Sequence, residues 1–134
     1  MVAVFYIIWR RGIKKHKKQL LFWSLLLFTF CIGNAQININ IPDPNFKQTL
    51  LNHEDPVVDT NGDGEVSEQE ALAVTSLIMR DKGITDLTGI EKFTNLDVLV
   101  VAYNHIDEVN VTHNTKLTVL NLIGSNLTEI DVSN

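Results

Sequence analysis

The sequence predicts an α/β fold: a short right-handed solenoid of about three coils with parallel strands, preceded by a small helical cap and an N-terminal signal helix. Two observations predict this arrangement. The first is a pattern of apolar residues that recurs about every 21 residues from Val74 onward. The second is a run of 13 apolar or near-apolar residues, "LLFWSLLLFTFCI", which follows six clustered cations. A polar segment rich in acids and glycines lies between the two.

The first 35 residues have the layout of a secretory signal peptide. Basic residues precede the apolar run, and Gly33 and Ala35 supply the small residues expected at a cleavage site. A helix needs about 20 apolar residues to cross a bilayer core of ~30 Å, so this run is short for a membrane span. We therefore predict a signal peptide over residues 1–35 and a secreted or cell-surface protein. The alternatives are an uncleaved leader that anchors the chain in the membrane and a lipoprotein with its lipid on Cys31.

The rest of the chain is strongly acidic. Residues 36–134 carry 5 Lys and Arg against 16 Asp and Glu, a formal net charge of −11, whereas the whole chain has −5. A surface of this sign repels nucleic acid and anionic membrane and attracts cations. Because the lone Cys31 lies in the leader, the acidic part has no disulfide framework and no cysteine zinc site.

Residues 74–134 contain the repeat. Six apolar positions of residues 96–111 recur at an offset of 21, and an earlier copy from Val74 aligns at an offset of 22. The pattern L-x-x-L-x-L-x-x-N-x-L with a period of roughly 20 to 29 residues is the signature of leucine-rich repeats. The predicted repeats are a first over 74–95, a second over 96–116 and a third over 117–134.

Each predicted repeat places a Leu-x-Leu pair on a short parallel strand, turns, and returns through a segment with two β-branched or leucine side chains. An asparagine in the turn would satisfy backbone groups that the bend leaves open. The turn positions are Lys82, Asn104 and Ser125, so only the second repeat keeps the asparagine. We therefore expect a weakened hydrogen-bonded ladder along the stack.

Residues 36–73 form the predicted cap. Asp43 and Pro44 are a good N-cap and first-turn pair for a short helix. The apolar side chains that this helix would bury are Phe46, Leu50 and Leu51. Pro56 is expected to end any remaining helix.

The segment from Asp59 to Glu70, "DTNGDGEVSEQE", fits the twelve-position calcium loop of an EF-hand. Oxygen donors fall at positions 1, 3, 5, 7, 9 and 12, and Gly64 stands at the sharp turn. Ca²⁺ is a hard cation that takes about six to eight oxygen ligands. The predicted metal ligands are Asp59, Asn61, Asp63, Glu65 through its backbone carbonyl, Ser67 and Glu70.

The same segment has a second interpretation as a polar turn followed by a capping box, because Ser67 and Glu70 have the S-x-x-E spacing. Glu70 cannot fully serve the cap and a metal together. Pro56 also stands where an EF-hand has its entering helix, and no second loop pairs with this one. We therefore predict a lone, structural calcium site with a weak affinity of about 10⁻⁴ to 10⁻³ M.

Residues 41–134 resemble secreted bacterial leucine-rich-repeat proteins of the internalin-like kind, through "IPDPNF", "DTNGDGE", "KGITDLTGIEKFTNL" and "DVSN". The resemblance implies a capped solenoid whose curved surface binds a protein or glycan. Such proteins usually carry many more repeats, and stacked coils need covers at both ends. The third repeat would expose Leu117, Leu120 and Leu122, so we predict a truncated chain, a fragment, or a subunit that stacks on itself or on another partner.

The predicted ligand surface is the concave face of the strands. Its side chains are Ser76, Ile78, Arg80, Val98, Val100, Ala102, Val119, Asn121 and Ile123, with Tyr103 just beyond. No phosphate loop or Cys/His pair is present, and His53, His105 and His113 lack partners at catalytic or metal spacing, so we do not predict an enzyme. The predicted function is an exported, calcium-binding adhesion module. The alternative is a structural cap or a remnant of a longer surface adhesin without a ligand of its own.

Overall fold

The computed structural model describes residues 36–133, so the predicted signal peptide and its helix lie outside the described residues. Two α-helices, α1 (Pro44–Leu51) and α2 (Glu68–Ala73), precede the strands. The remaining elements are β1 (Ser76–Ile78), a 3₁₀ helix (Ile90–Lys92), β2 (Val98–Val100), β3 (Glu108–Asn110), β4 (Val119–Asn121) and β5 (Glu129–Asp131). Within the described range, no helix has the length and apolar character needed to span a membrane.

The strands form two parallel sheets, as the repeat pattern predicts for its first sheet. In the order β1-β2-β4, Ser76 pairs with Val98, and Val98 pairs with Val119. These partners lie 22 and 21 residues apart, the two offsets read from the apolar pattern. The mixed α/β class and the parallel strands are therefore confirmed.

A second sheet joins β3 to β5, with Glu108 opposite Glu129. The sequence assigned only a return segment to this part of each repeat. In β3, Val109 and the following Val111 are buried while the polar residues beside them face outward, whereas the equivalent Ile130 and Val132 at β5 are exposed. Alternation of this kind suits a strand with one buried face.

The apolar core runs from the cap helix α1 into the repeats and includes Phe46 and Phe93, both fully buried. The second repeat buries its leucines completely, as at Leu99. The equivalent leucines of the third repeat, Leu117, Leu120, Leu122 and Leu127, are only half-buried. The difference arises because strand β2 lies between two strands, whereas β4 has a paired strand on one side only among the described residues.

Asp43 joins the cap to the first repeat. Its Oδ1 accepts hydrogen bonds of 2.8 Å from the N–H groups of Asn45 and Phe46, which confirms the predicted N-cap. Its Oδ2 accepts from the N–H and hydroxyl of Thr85, both at 2.8 Å, and from the N–H of Asp86 at 3.1 Å. Burial raises the pKa of Asp43, but the hydrogen bonds from Phe46, Thr85 and Asp86 outweigh burial and hold this pKa below its usual value.

Asn104 joins the first repeat to the second. Its Nδ2 donates to the carbonyls of Met79 (2.7 Å) and Val101 (2.8 Å). Its Oδ1 accepts from the N–H groups of Lys82 (3.0 Å) and Ile84 (3.1 Å). The side chain is fully buried, and three of these four hydrogen bonds are buried with it, so this one amide satisfies backbone groups inside the core. Ser125, at the equivalent turn, donates only to the carbonyl of Leu122.

One corner of each repeat has a left-handed backbone. Asp81, Tyr103 and Gly124 occupy equivalent positions and have φ values of 53°, 59° and 75°. The N–H of Asp81 donates to the carbonyl of Ala102, and the N–H of Tyr103 donates to the carbonyl of Ile123, so the first two corners are each bonded to the next repeat. The backbone therefore bends at the same place in every repeat.

Candidate calcium loop and concave surface

The predicted calcium loop, residues 59–70, is held by hydrogen bonds from its own backbone to its own side chains. Asp59 accepts from the N–H groups of Gly62 (2.8 Å) and Gly64 (3.1 Å). Asn61 Oδ1 accepts from the N–H of Asp63 at 2.8 Å, and Asp63 Oδ1 accepts from the N–H of Glu65 at 2.9 Å. Both glycines have positive φ, which side chains disfavour. The loop is therefore a series of turns in which Asp59, Asn61 and Asp63 each accept hydrogen bonds from the backbone that follows them.

Glu70 closes the loop from its other end. Its Oε2 accepts from the N–H (2.9 Å) and hydroxyl (2.8 Å) of Ser67, and Ser67 Oγ accepts from the N–H of Glu70. The capping box is therefore present at the start of α2. Glu70 Oε1 accepts from the N–H and hydroxyl of Thr60, at 2.9 and 3.0 Å. Burial raises the pKa of Glu70, but the hydrogen bonds from Ser67 and Thr60 hold it below its usual value.

The donor set fits Ca²⁺ in its chemistry, because every predicted ligand offers oxygen. The Glu65 side chain instead pairs with Lys47 at 2.7 Å, which leaves its backbone carbonyl as the predicted donor. Within residues 36–133, no three His, Cys, Asp or Glu side chains converge at metal-binding distance. Hydrogen-bond donors meet the carboxylate oxygens of Asp63 and Glu70, and a cation would have to replace some of these donors.

Gln36 is part of the loop, although the sequence analysis did not identify it. Its Nε2 donates to Asp63 Oδ2 at 3.0 Å, and its Oε1 accepts from Asn61 Nδ2 at 3.0 Å. The backbone that follows pairs with the loop exit through Ile39 N to Val66 O, at 2.8 Å. The alternating "QININI" pattern was the one available sign of this extended segment. The hydrogen bond from Gln36 to Asp63 spans 27 residues, so no local sequence pattern could predict it.

The concave face of the β1-β2-β4 sheet exposes large apolar side chains, as predicted. We define the apolar strip as Ile78, Tyr103, Val119 and Ile123, which are between 45% and 63% exposed. Polar Arg80 is also exposed, while Ser76, Val98 and Asn121 are half-buried.

Two residues predicted on this face are buried instead: Val100 is 7% exposed and Ala102 is 1% exposed. Val100 lies in the central strand, between Ile78 and Asn121 of the neighbouring strands, which cover its flanks. Ala102 has only a methyl group, and its carbonyl accepts from the first repeat's backbone. The strip is therefore interrupted in the middle of the sheet.

Tyr103 extends the apolar strip over the third repeat. A Cβ atom placed on Gly124 would lie 2.5 Å from Tyr103 Cδ1. The glycine therefore leaves the space in which the tyrosine ring lies. Because Gly124 has no side chain, it can both accommodate the tyrosine ring and adopt the left-handed backbone of the corner.

The three histidines of residues 36–133 do not form a site. His53 Nδ1 lies 2.7 Å from the carbonyl of Pro56, and its Nε2 is 3.4 Å from the N–H of Ile78, so its ring contacts the backbone of two segments. His105 and His113 are exposed. The sequence predicted solvated roles for His105 and His113 and offered no catalytic or metal-binding partner for any of the three.

Comparison with known proteins places this geometry in context. No protein-family model matches the chain. Internalin J from Listeria monocytogenes serotype 4b is 37% identical over 89 residues, which are 65% of this chain and 9% of Internalin J. The chain thus spans less than a tenth of the length of that curated relative.

Two solved structures share the fold. An internalin (inlF) from Listeria monocytogenes superposes with a TM-score of 0.57 at 22% identity, covering 74% of this chain and 33% of that one. A structure of CBM51-2 in complex with GlcNAc and INT domains, from Clostridium perfringens ZmpB, gives a TM-score of 0.53 at 28% identity over 63% of this chain and 17% of that one. The chain is therefore similar to Internalin J in sequence and to an internalin in fold, with the parallel strands that the repeat pattern predicts.

Proposed function

We propose that the chain is an exported or cell-surface, non-enzymatic binding module whose repeat face docks a protein or glycan. The apolar strip is the observation that supports this proposal most directly. Four large apolar side chains at this face of the sheet and just beyond its strands are exposed to water. Their exposure is unfavourable in free energy, and a bound partner would bury them. The likeness to internalins and to the ZmpB structure, which contains a carbohydrate-binding module in complex with GlcNAc, is consistent with such a surface.

Ile123→Asp and Ile78→Asp are expected to weaken binding by about tenfold or more each, because each places a charge in the docked apolar face. Binding is measured on a printed panel of glycans and extracellular proteins, followed by interferometry on each positive probe. Ile37→Asp is the matched control, since Ile37 is equally exposed but lies in the cap. Equal binding by all three variants would contradict the proposed face, provided that their melting temperatures agree.

We also propose that the loop 59–70 binds Ca²⁺ as a structural ion. The support is the twelve-position spacing, the turns in which Asp59, Asn61 and Asp63 accept backbone hydrogen bonds, and the hydrogen bond from Thr60, at the start of the loop, to Glu70. The bound ion would supply charge neutralisation among these acids. The chain's own residues set the loop shape and hold its ends together.

Calcium at about 100 times its dissociation constant is expected to raise the free energy of unfolding by about 2.7 kcal/mol. For a domain of this size that corresponds to a melting temperature about 10 °C higher. Asp59→Asn should abolish most of the rise, whereas Asp107→Asn removes an equal charge outside the loop and should leave it intact. Identical calorimetric melts in calcium and in excess chelator would rule the site out.

A further inference from the structure

Asn61 is followed by Gly62, and this is the one Asn-Gly pair in the sequence. In an Asn-Gly pair, the glycine backbone can react with the asparagine side chain. The backbone nitrogen of the glycine attacks the side-chain carbonyl carbon of the asparagine, a C–N bond forms, and the C–N bond to the amide group breaks as ammonia leaves with the nitrogen's proton. Water then opens the five-membered succinimide to aspartate or isoaspartate. Glycine favours the reaction because no side chain obstructs its nitrogen.

The folded loop opposes this reaction at both reacting groups. The N–H of Gly62 donates to Asp59 Oδ1 at 2.8 Å, so the carboxylate disfavours the loss of the proton that attack requires. Three hydrogen bonds hold the Asn61 amide: Oδ1 accepts from Asp63 N at 2.8 Å, and Nδ2 donates to Asp63 Oδ2 and to Gln36 Oε1, both at 3.0 Å. Both residues are nevertheless exposed, so water is available for the second step.

We propose that Asn61 is a deamidation site whose reaction is suppressed by the ordered loop and released when the loop opens. The Gln36 side chain is part of this protection, since it holds the Asn61 amide from outside the loop. Local opening governs the rate because the reacting atoms are free only in the opened form.

The product changes the electrostatics of the loop. Aspartate at this position has no Nδ2 donors, so the bonds to Asp63 Oδ2 and Gln36 Oε1 are lost and two carboxylates stand close together. The modified loop is therefore less stable by itself and gains more from a bound divalent cation. This consequence rests on the proposed calcium function, whereas the deamidation itself does not.

The test follows the full chain at mildly alkaline pH by mass spectrometry of the tryptic peptide 48–80. Conversion of Asn61 in the folded protein is expected to be about tenfold or more slower than in guanidinium chloride. Gln36→Ala should speed the folded reaction about threefold, because one of the three bonds is gone, and leave the unfolded reaction unchanged. Conversion of Asn126, which is followed by leucine and not by glycine, is measured in the same samples as the internal reference. Equal folded and unfolded rates, or no conversion of Asn61 in the unfolded chain, would overturn the proposal.

The Asn61→Asp variant separates the two proposals. It is expected to melt below the parent protein in chelator and to show a larger rise on addition of Ca²⁺ alone. If deamidation follows the predicted rates but neither this variant nor the parent melts higher on addition of Ca²⁺, the calcium function fails and the modification site stands.

Discussion

Replacement of Asp43 by alanine is expected to lower the free energy of unfolding by about 3 to 5 kcal/mol. The substitution removes the N-cap of α1 and leaves the N–H groups of Thr85 and Asp86 without their acceptor. A lost cap costs about 0.5 to 2 kcal/mol, and a buried donor left unpaired costs about 1 to 3 kcal/mol, of which the partly buried N–H groups of Thr85 and Asp86 contribute the lower part. Chemical denaturation followed by circular dichroism measures the change.

Asp86→Ala is the matched control for this prediction, because its carboxylate bonds only to Thr88 on the surface. We expect a loss below about 1 kcal/mol there.

The Asp43 carboxylate also predicts how stability falls in acid. Since its pKa is lower in the folded chain than in the unfolded one, its contribution is complete above the unfolded pKa and disappears as the pH falls through the folded pKa. Asp43→Asn should flatten this acid limb, and an unchanged limb would contradict the assignment.

Asn104→Ala is expected to cost about 4 kcal/mol, the second large effect. It leaves three buried backbone groups unpaired, the carbonyls of Met79 and Val101 and the N–H of Ile84, together with the partly buried N–H of Lys82. It also creates a small cavity where the amide was, which adds to the loss. Hydrogen exchange at Lys82 and Ile84 should accelerate along with the fall in denaturation midpoint.

Asn126→Ala controls for the loss of an asparagine as such. Asn126 is exposed in the third repeat, and we expect a change within about 0.5 kcal/mol. If Asn104→Ala proves equally mild, the turn amide does not stabilise the junction of the first two repeats, and the backbone groups there find other partners.

The repeat period allowed the strand register to be predicted, because an apolar period fixes which residues enter the core and parallel pairing then follows at the same offset. The N-cap and the capping box were predictable for a similar reason, since both depend on residues within four positions of each other. Contacts between distant segments were not predictable. Asp43 meets Thr85 across 42 residues, and no local pattern encodes that meeting.

The candidate site divides in the same way. The spacing of "DTNGDGEVSEQE" indicated which residues form the loop, but not that Gln36 reaches it or that both Glu70 oxygens accept hydrogen bonds. On the concave face, alternation identified the side chains that point away from the core. It overlooked the cover that neighbouring strands give to Val100, because lateral shielding depends on the central place of β2 in the sheet.

The recurring left-handed corner at Asp81, Tyr103 and Gly124 makes the 21-residue unit modular. A duplicated segment 96–116 inserted after residue 116 would therefore continue the stack once its own copy of Tyr103 is replaced by glycine. A Cβ atom at that corner would lie 2.5 Å from the tyrosine ring of the preceding unit. The solenoid can thus be lengthened by duplicating one repeat. Glycine is the preferred corner residue wherever an aromatic ring of the preceding repeat lies over the corner.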